Sequence, residues 1–300
     1  MRLSKLCLGT AQLGMDYGIN NPEGKPSFEQ ARDIVRAALE SGVNAFDTAP
    51  EYGDSEIILG KCLSGSEKKK IVFISKFPPA DWSKSVAEIK AGVEKEVKKS
   101  LNNLGVKQIP IYLFHRFEDI EKEDKLTLKE LLRMKKQGLI GKLGVSIYTP
   151  EEAERALSIE GIEVIQAPFN LIDKRLLENG LLKRAKQKGI LFLARSVFLQ
   201  GLFFRKEIPE QISGFKPYQG KIMRLCKEKG MSAEELALRY SLSIKEIDSV
   251  LVGVEKTEQL VRNIEIWKKG KLSDALIKKV NSWGSAPEKA INPRLWGLNK

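Results

Sequence analysis

Three cysteines in 300 residues, Cys7, Cys62 and Cys226, are odd in number, far apart and without a CxxC pair. Neither a disulfide framework nor a zinc site follows from them, no metal is expected, and a reducing compartment fits. No run approaches 18 apolar residues, so no membrane-spanning helix is expected. The start, "MRLSKLCLGTAQLGM", has basic residues but no sustained apolar core and no credible cleavage site, and a cytoplasmic protein is the expectation. Also missing is a G-x-G-x-x-G turn after an early strand. The nearest stretch, "LGTAQLGMDYG", has the wrong spacing, which weighs against a doubly wound open sheet.

What the chain does have is ordinary globular composition, 42% hydrophobic and 30% charged residues, unlike the apolar-poor signature of disorder. Lys and Arg number 51 against 39 Asp and Glu, a formal charge of +12 that raises the question of nucleic acid. The basic residues, however, are interleaved with acids and apolar residues in stretches such as "EKEVKKSLNNL" and "LLKRAKQKG". That is the pattern of solvated helix faces, and with no accompanying motif a nucleic-acid partner is not expected. Phosphate groups on a cofactor would still be drawn by the field.

Short β-rich runs alternate with helical patterns along the whole chain. Strands are predicted at 6–11, 45–49, 71–76, 111–116, 142–148, 164–170, 191–197 and 249–254, each a nearly continuous apolar run. Helices are predicted at 27–40, 54–63, 83–103, 124–137, 150–159, 174–188, 218–243 in two pieces, and 256–268. Ser27 with Gln30 and Ser232 with Glu235 have capping-box spacing, and Gly42, Gly138 and Gly189 stand where helices should stop. Eight strands, each followed by a helix, close naturally into a (β/α)8 barrel, with no linker or composition shift to divide 1–300 into more than one domain. The segment 198–218 is too long for a plain connection and is a candidate lid or binding loop.

In such barrels the reacting groups project from the C-terminal strand ends. The second predicted strand ends at Asp47, the third at Lys76 and the fourth at His115, with Tyr52 in the loop after the second. Singly, each has a plain structural explanation: a cap, a surface charge, a satisfied strand-end histidine. Independent accidents would not be expected to bring all four to one rim.

The arrangement "GTAQLG", "FDTAPEYG", "ISK" and "LFHR", continuing to "LVGVEKTEQLVRNIEI", resembles the aldo-keto reductase superfamily over nearly the whole chain, and "LGTAQLGMDYGINN" resembles its carbohydrate-directed bacterial members. The resemblance implies a barrel that binds NADPH or NADH, NADPH being slightly favoured, and reduces a small aldehyde, ketone or sugar. It implies Tyr52 as general acid, assisted by Lys76, with Asp47 holding the lysine and His115 hydrogen-bonding the carbonyl or relaying its proton. An unperturbed Tyr has a pKa near ~10, and an ammonium at about 4 Å favours its phenolate by roughly 4 kcal/mol at an effective dielectric of 20, before desolvation opposes it.

Further positions match the family's cofactor site: Ser146, Gln166 and Asn170 at the nicotinamide, Ser196 and Gly201 in "ARSVFLQG", and Lys256, Gln259 and Asn263 around the adenosine phosphate and adenine. Arg195 replaces the aromatic that commonly stacks on the nicotinamide, and its charge should disfavour the oxidised ring and bias the protein toward reduction. Gln259 stands where NADPH-preferring members often carry Arg, with Lys256 and Arg262 as substitute cations. Two other functions compete: a cofactor-bound sensor subunit on the same fold, and an aldolase using Lys76 as a Schiff base, which the neighbouring Asp disfavours by raising the lysine pKa. Tyr17, Trp82, Phe203, Phe204 and Tyr218 are candidate pocket aromatics. The tail through Trp296 should either fold over the mouth or pack on the outer helices, and monomer or dimer is the expected state.

Overall fold

The computed structural model describes residues 2–19, 21 and 23–297. Eight strands, β1 Leu6–Gly9, β2 Ala45–Asp47, β3 Val72–Phe77, β4 Ile109–Phe114, β5 Ile140–Ser146, β6 Val164–Pro168, β7 Leu191–Arg195 and β8 Ser249–Gly253, form a closed barrel in sequence order. All neighbours are parallel, and β1 closes on β8 with Gly9 opposite Gly253. This is the predicted (β/α)8 architecture.

Side chains alternate along each strand between the barrel axis and the helix layer. Inward-facing Cys7, Ala45, Val72, Ile74, Ile111, Leu113, Val164, Leu193 and Leu251 form an apolar plug. Outward-facing residues such as Phe46, Phe73, Tyr112, Phe114 and Phe192 join the larger core under the helices. The plug explains what comes next along each strand. Two residues beyond the last plug residue on its strand the next inward position lies at the C-terminal rim, at Gly9, Asp47, Lys76, His115, Gln166, Arg195 and Gly253, and on β5 Ser146 follows Gly144 in the same way.

Helix boundaries follow local chemistry. Ser27 and Gln30 make the predicted reciprocal cap of Phe28–Glu40. At Ala233–Ser243 only half of the expected box forms: Ser232 accepts from Glu235 N at 3.0 Å, but the Glu235 carboxylate is drawn to Arg239 and Lys269. The helix predicted at 124–137 belongs to an element spanning Glu118–Lys136, interrupted by left-handed backbone at 123–125. Residues predicted at 174–188 split into Arg175–Glu178 and Leu181–Gln187 around Gly180, whose φ of 69° ends one helix and starts the other. The segment 198–218 is not irregular; it contains 3-10 turns at Leu199–Phe204 and Glu210–Phe215 before the helix from Lys216.

The tail packs on the barrel flank. Trp296 is buried and its indole donates to Lys289 O. Ala286 N donates to Ile172 O, Tyr218 Oη donates to Ser285 O, and the buried Lys174 amine donates to Leu171 O and Gly284 O. Burial without a carboxylate bonded to it pushes the Lys174 pKa down to about 8. Arg294, further along, reaches the Tyr148 ring near the mouth.

The loop after β2 is held by close backbone approach. Thr10, Thr48 and Ser55 form a buried hydroxyl network, and Asp54 N donates to Gly14 O at 3.3 Å. A Cβ on Gly14 would stand 1.9 Å from Tyr52 O, so no side chain fits without moving this loop. Gly14→Ala should therefore lower stability by about 1–3 kcal/mol, the usual cost of overpacking, read as a lowered urea midpoint.

Candidate active site

Three of the rim positions meet in one ion-paired cluster. Lys76 Nζ lies 2.7 Å from Asp47 Oδ1 and donates to Thr48 O at 2.9 Å, and Gln166 Nε2 donates to Asp47 Oδ2 at 2.7 Å. Lys76, Asp47 and Gln166 come from three strands and are almost fully enclosed. Both carboxylate oxygens are engaged, which is the condition for burying an ion pair at tolerable cost. The ammonium also stands 4.7 Å from the centre of the Tyr52 ring.

Tyr52 forms an edge-to-face contact with His115, ring centres 5.8 Å apart. Tyr52 is half-buried on the cavity wall, and desolvation pushes its pKa up to about 12 against the opposing pull of Lys76. The lysine field that the sequence suggests would activate the phenol is present, but desolvation outweighs it, so the neutral acid form holds at ordinary pH. Burial lowers the Lys76 pKa less than Asp47 and Tyr52 raise it, and the net shift is upward. A Schiff-base lysine needs the opposite, and the aldolase reading finds no support here.

Glu51, which sequence reasoning passed over although it lies inside "FDTAPEYG", places its carboxylate 2.5 Å from His115 Nδ1. The angle there is not that of an aligned hydrogen bond, and Nδ1 has no other partner among the described residues. Proximity alone makes Glu51 the charge partner of the imidazole. Burial nevertheless lowers the His115 pKa, with Lys76 also opposing protonation, so the ring is neutral near pH 7. Without an aligned bond at Nδ1, the neutral ring can carry its one proton on either nitrogen.

These groups open onto a cavity of about 580 Å³ that runs from Tyr52 and His115 across Ser146, Gln166, Arg195, Ser196 and Gly201 to Gln259 and Asn263. It is large enough for an extended ligand. Arg195 donates to Ile147 O at 2.9 Å, and Tyr148, another residue absent from the sequence reading, lies under it at 4.0 Å. The Arg195 charge, with Arg294, lowers the Tyr148 pKa. Ser196, Leu199 and Gln200 all take positive φ, a concentration of unfavourable backbone at the cavity edge.

Two expected ligand residues are occupied elsewhere. Asn170 does not line the cavity; it donates to Ser196 O and accepts from Ile172 and Asp173 N, shaping the loop beneath. Lys256 lies outside the lining and pairs with Glu23 at 2.5 Å. Gln259 accepts from Glu255 and Lys256 N, capping its helix, and Arg262 stands 3.6 Å from Glu234. Asn263 is the contrast: buried, on the cavity wall, with Oδ1 lacking any hydrogen-bond partner among the described residues. Of the candidate aromatics Tyr17 and Phe204 line the cavity, whereas Trp82 bonds to Asp119, Phe203 packs on Phe215 and Tyr218 ties down the tail. Among the described residues no group of His, Cys, Asp and Glu is placed to hold a metal, and no helix is long and apolar enough to cross a membrane.

Known proteins resemble this chain over most of its length. Residues 5–284 match the aldo/keto reductase family. The chain is 29% identical to aldo-keto reductase YhdN of Bacillus subtilis (strain 168) over 289 residues, 88% of this chain and 85% of that protein. It is 26% identical over 302 residues to the NADH-specific methylglyoxal reductase of Escherichia coli (strain K12), covering 87% and 89%. The glycerol dehydrogenase AKR11B4 from Gluconobacter oxydans matches with a TM-score of 0.72 at 27% identity, covering 93% and 91%. The holo form of aldo-keto reductase AKR11C1 from Bacillus halodurans has the same fold, TM-score 0.77 at 23% identity over 98% and 95%.

The raised pKa values carry a sign that can be measured. With Tyr52 near 12 when folded and about 10 when unfolded, the unfolded chain releases its proton first as pH rises. Stability is therefore full below pH 10 and falls toward pH 12, by at most about 2–3 kcal/mol from this group. Lys76, also raised, adds a loss of the same sign above its unfolded value. Urea titrations at pH 9, 10 and 11 should show this decline, and Tyr52→Phe should make it shallower.

Proposed function

Because the chain belongs to the aldo/keto reductase family of oxidoreductases, which use nicotinamide cofactors, we propose that it reduces an aldehyde or ketone, sugars included, with NADPH or NADH. The observation that carries this reading is the enclosed Asp47–Lys76 pair beside the Tyr52 phenol at one end of the cavity. The names of the relatives, a methylglyoxal reductase and a glycerol dehydrogenase among them, support small oxygenated carbonyl compounds as the substrate class.

The residues present suit such a cofactor. The unpartnered Asn263 acceptor at the far end meets the need of an amino-bearing base, while Ser146 and Gln166 supply polar groups beside the reaction centre. The nicotinamide, when bound, supplies the hydride. Tyr52, held in its acid form, gives its proton to the carbonyl oxygen, and the Lys76 ammonium stabilises the phenolate left behind. Asp47 keeps Lys76 charged and aimed, and Gln166 keeps Asp47 in place. His115 acts at the same oxygen. As a neutral ring it donates a hydrogen bond to the carbonyl oxygen when Nε2 carries the proton, or relays a solvent proton to the Tyr52 phenolate after turnover.

Arg262, on the cavity wall at the far end and 3.6 Å from Glu234, is the cation that supports modest use of NADPH over NADH, whereas Lys256 is held by Glu23 outside the lining. Oxidation of each reduced cofactor with a reactive aldehyde tests the reading. Tyr52→Phe should lower kcat by at least about a thousandfold while leaving cofactor affinity within about threefold, since it removes only the proton donor. Retained turnover in that variant would defeat the assignment. Glu51→Gln should shift the acid limb of the kcat profile to lower pH, because it removes a charge that favours protonated His115.

A further inference from the structure

Two guanidinium groups share one ring at the cavity wall. The central carbon of Arg195 lies 4.0 Å, and that of Arg294 3.7 Å, from the centre of the Tyr148 ring. Both guanidinium groups are therefore in contact with the one ring. Most arginines of this protein that approach an element face a carboxylate, as Arg116, Arg175 and Arg184 do. Neither Arg195 nor Arg294 has one within salt-bridge distance among the described residues. The acids at this end are already engaged, Asp47 by Lys76 and Gln166, Glu51 by His115.

Arg195 is tethered by neutral groups: Ile147 O at 2.9 Å, Ser196 Oγ at 3.3 Å and the face of Tyr148. These bonds employ two of its five N–H donors and leave its charge uncompensated. Its side chain lines the same cavity as Tyr52 and His115. Tyr17, also on the wall, has its phenol within the fields of both Arg195 and Lys76, so the arginine and the reaction centre border one region. A fixed, half-buried cation with spare parallel donors is the arrangement that recognises a planar carboxylate or a phosphate.

We propose that Arg195, buttressed through Tyr148 by Arg294 of the tail, binds an anionic group on the carbonyl substrate, so that the enzyme selects carboxylate- or phosphate-bearing aldehydes and ketones over neutral ones. The proposal rests on the reductase reading above and narrows its substrate class. Arg195 contacts the anion; Arg294 is a positioning residue that holds the ring beneath it and adds to the local positive potential.

The test compares kcat/KM within two pairs, 4-carboxybenzaldehyde against methyl 4-formylbenzoate and glyceraldehyde 3-phosphate against glyceraldehyde, for the wild type, Arg195→Met and Arg294→Gln. The anionic member of at least one pair should be favoured by about tenfold or more, the scale of a charge-assisted contact, and the preference should shrink with added salt. Arg195→Met should carry the ratio toward one and Arg294→Gln should lower it by about threefold. Because each ratio is taken within one protein, a general loss of folding or cofactor binding cancels. A preference confined to the first pair assigns a carboxylate, and one confined to the second a phosphate. Equal values within both pairs, or a preference that survives in both variants, overturns the proposal and leaves the reductase reading standing. No oxidation of either reduced cofactor with any of the four carbonyls overturns both.

Discussion

An ammonium enclosed at a barrel rim must be paired, and the pairing of Lys76 with Asp47 is the constraint around which the site is arranged. Desolvation opposes the charged lysine strongly, and only a carboxylate at 2.7 Å, itself held by Gln166, reverses the balance. Three strands must be in register for that contact to form. Asp47 lies opposite Ile74 and Gln166 opposite Ser146, so a slip of one residue in any of them would turn a polar partner into the helix layer and an apolar one into the mouth. Tyr52 beside the pair stays protonated because burial outweighs the lysine field.

The cavity grows outward from this pair with a division of labour. At the inner end charges are matched and donors aligned around a reacting oxygen. At the outer end the walls are made by loops that return from β1, β7 and β8, tied together by the Glu23–Lys256 pair and by Gln200 near Tyr17. Between them the β7 loop takes three non-glycine residues into positive φ, a cost of order 1 kcal/mol or more each, tolerated because the barrel rim and the tail fix both ends of the segment. The tail matters here for a plain reason: Trp296, Lys174 and Tyr218 anchor it to the flank, and Arg294 is thereby delivered to Tyr148.

Much of this was legible in the linear pattern. Eight apolar runs separated by helices announce a covered parallel sheet, and Asp47, Lys76 and His115 at successive strand ends announce one rim. Parity carries a further signal: two residues beyond the last inward apolar side chain of β1, β2, β3, β4, β6, β7 and β8 stand Gly9, Asp47, Lys76, His115, Gln166, Arg195 and Gly253. Asn170 and Lys256 show what position along the chain leaves out. A polar side chain near a mouth has local partners to satisfy first, and Asn170 spends its amide on the turn at 170–173 while Lys256 is drawn to Glu23. Glu51 and Tyr148 were missed because a loop residue reveals nothing of its direction until the loop is folded.

The sequence by itself determined the architecture, the parity of every strand and therefore which side chains reach the mouth, since alternation is a local property of extended backbone. Only the tertiary structure decided what those side chains do to one another. Whether Lys76 or burial governs Tyr52, whether Glu51 or Lys76 governs His115, and whether Arg195 meets an acid or an aromatic face depend on distances of a few ångströms between segments far apart in the chain. Coulomb and desolvation terms vary steeply over that range, and no spacing along the chain encodes them.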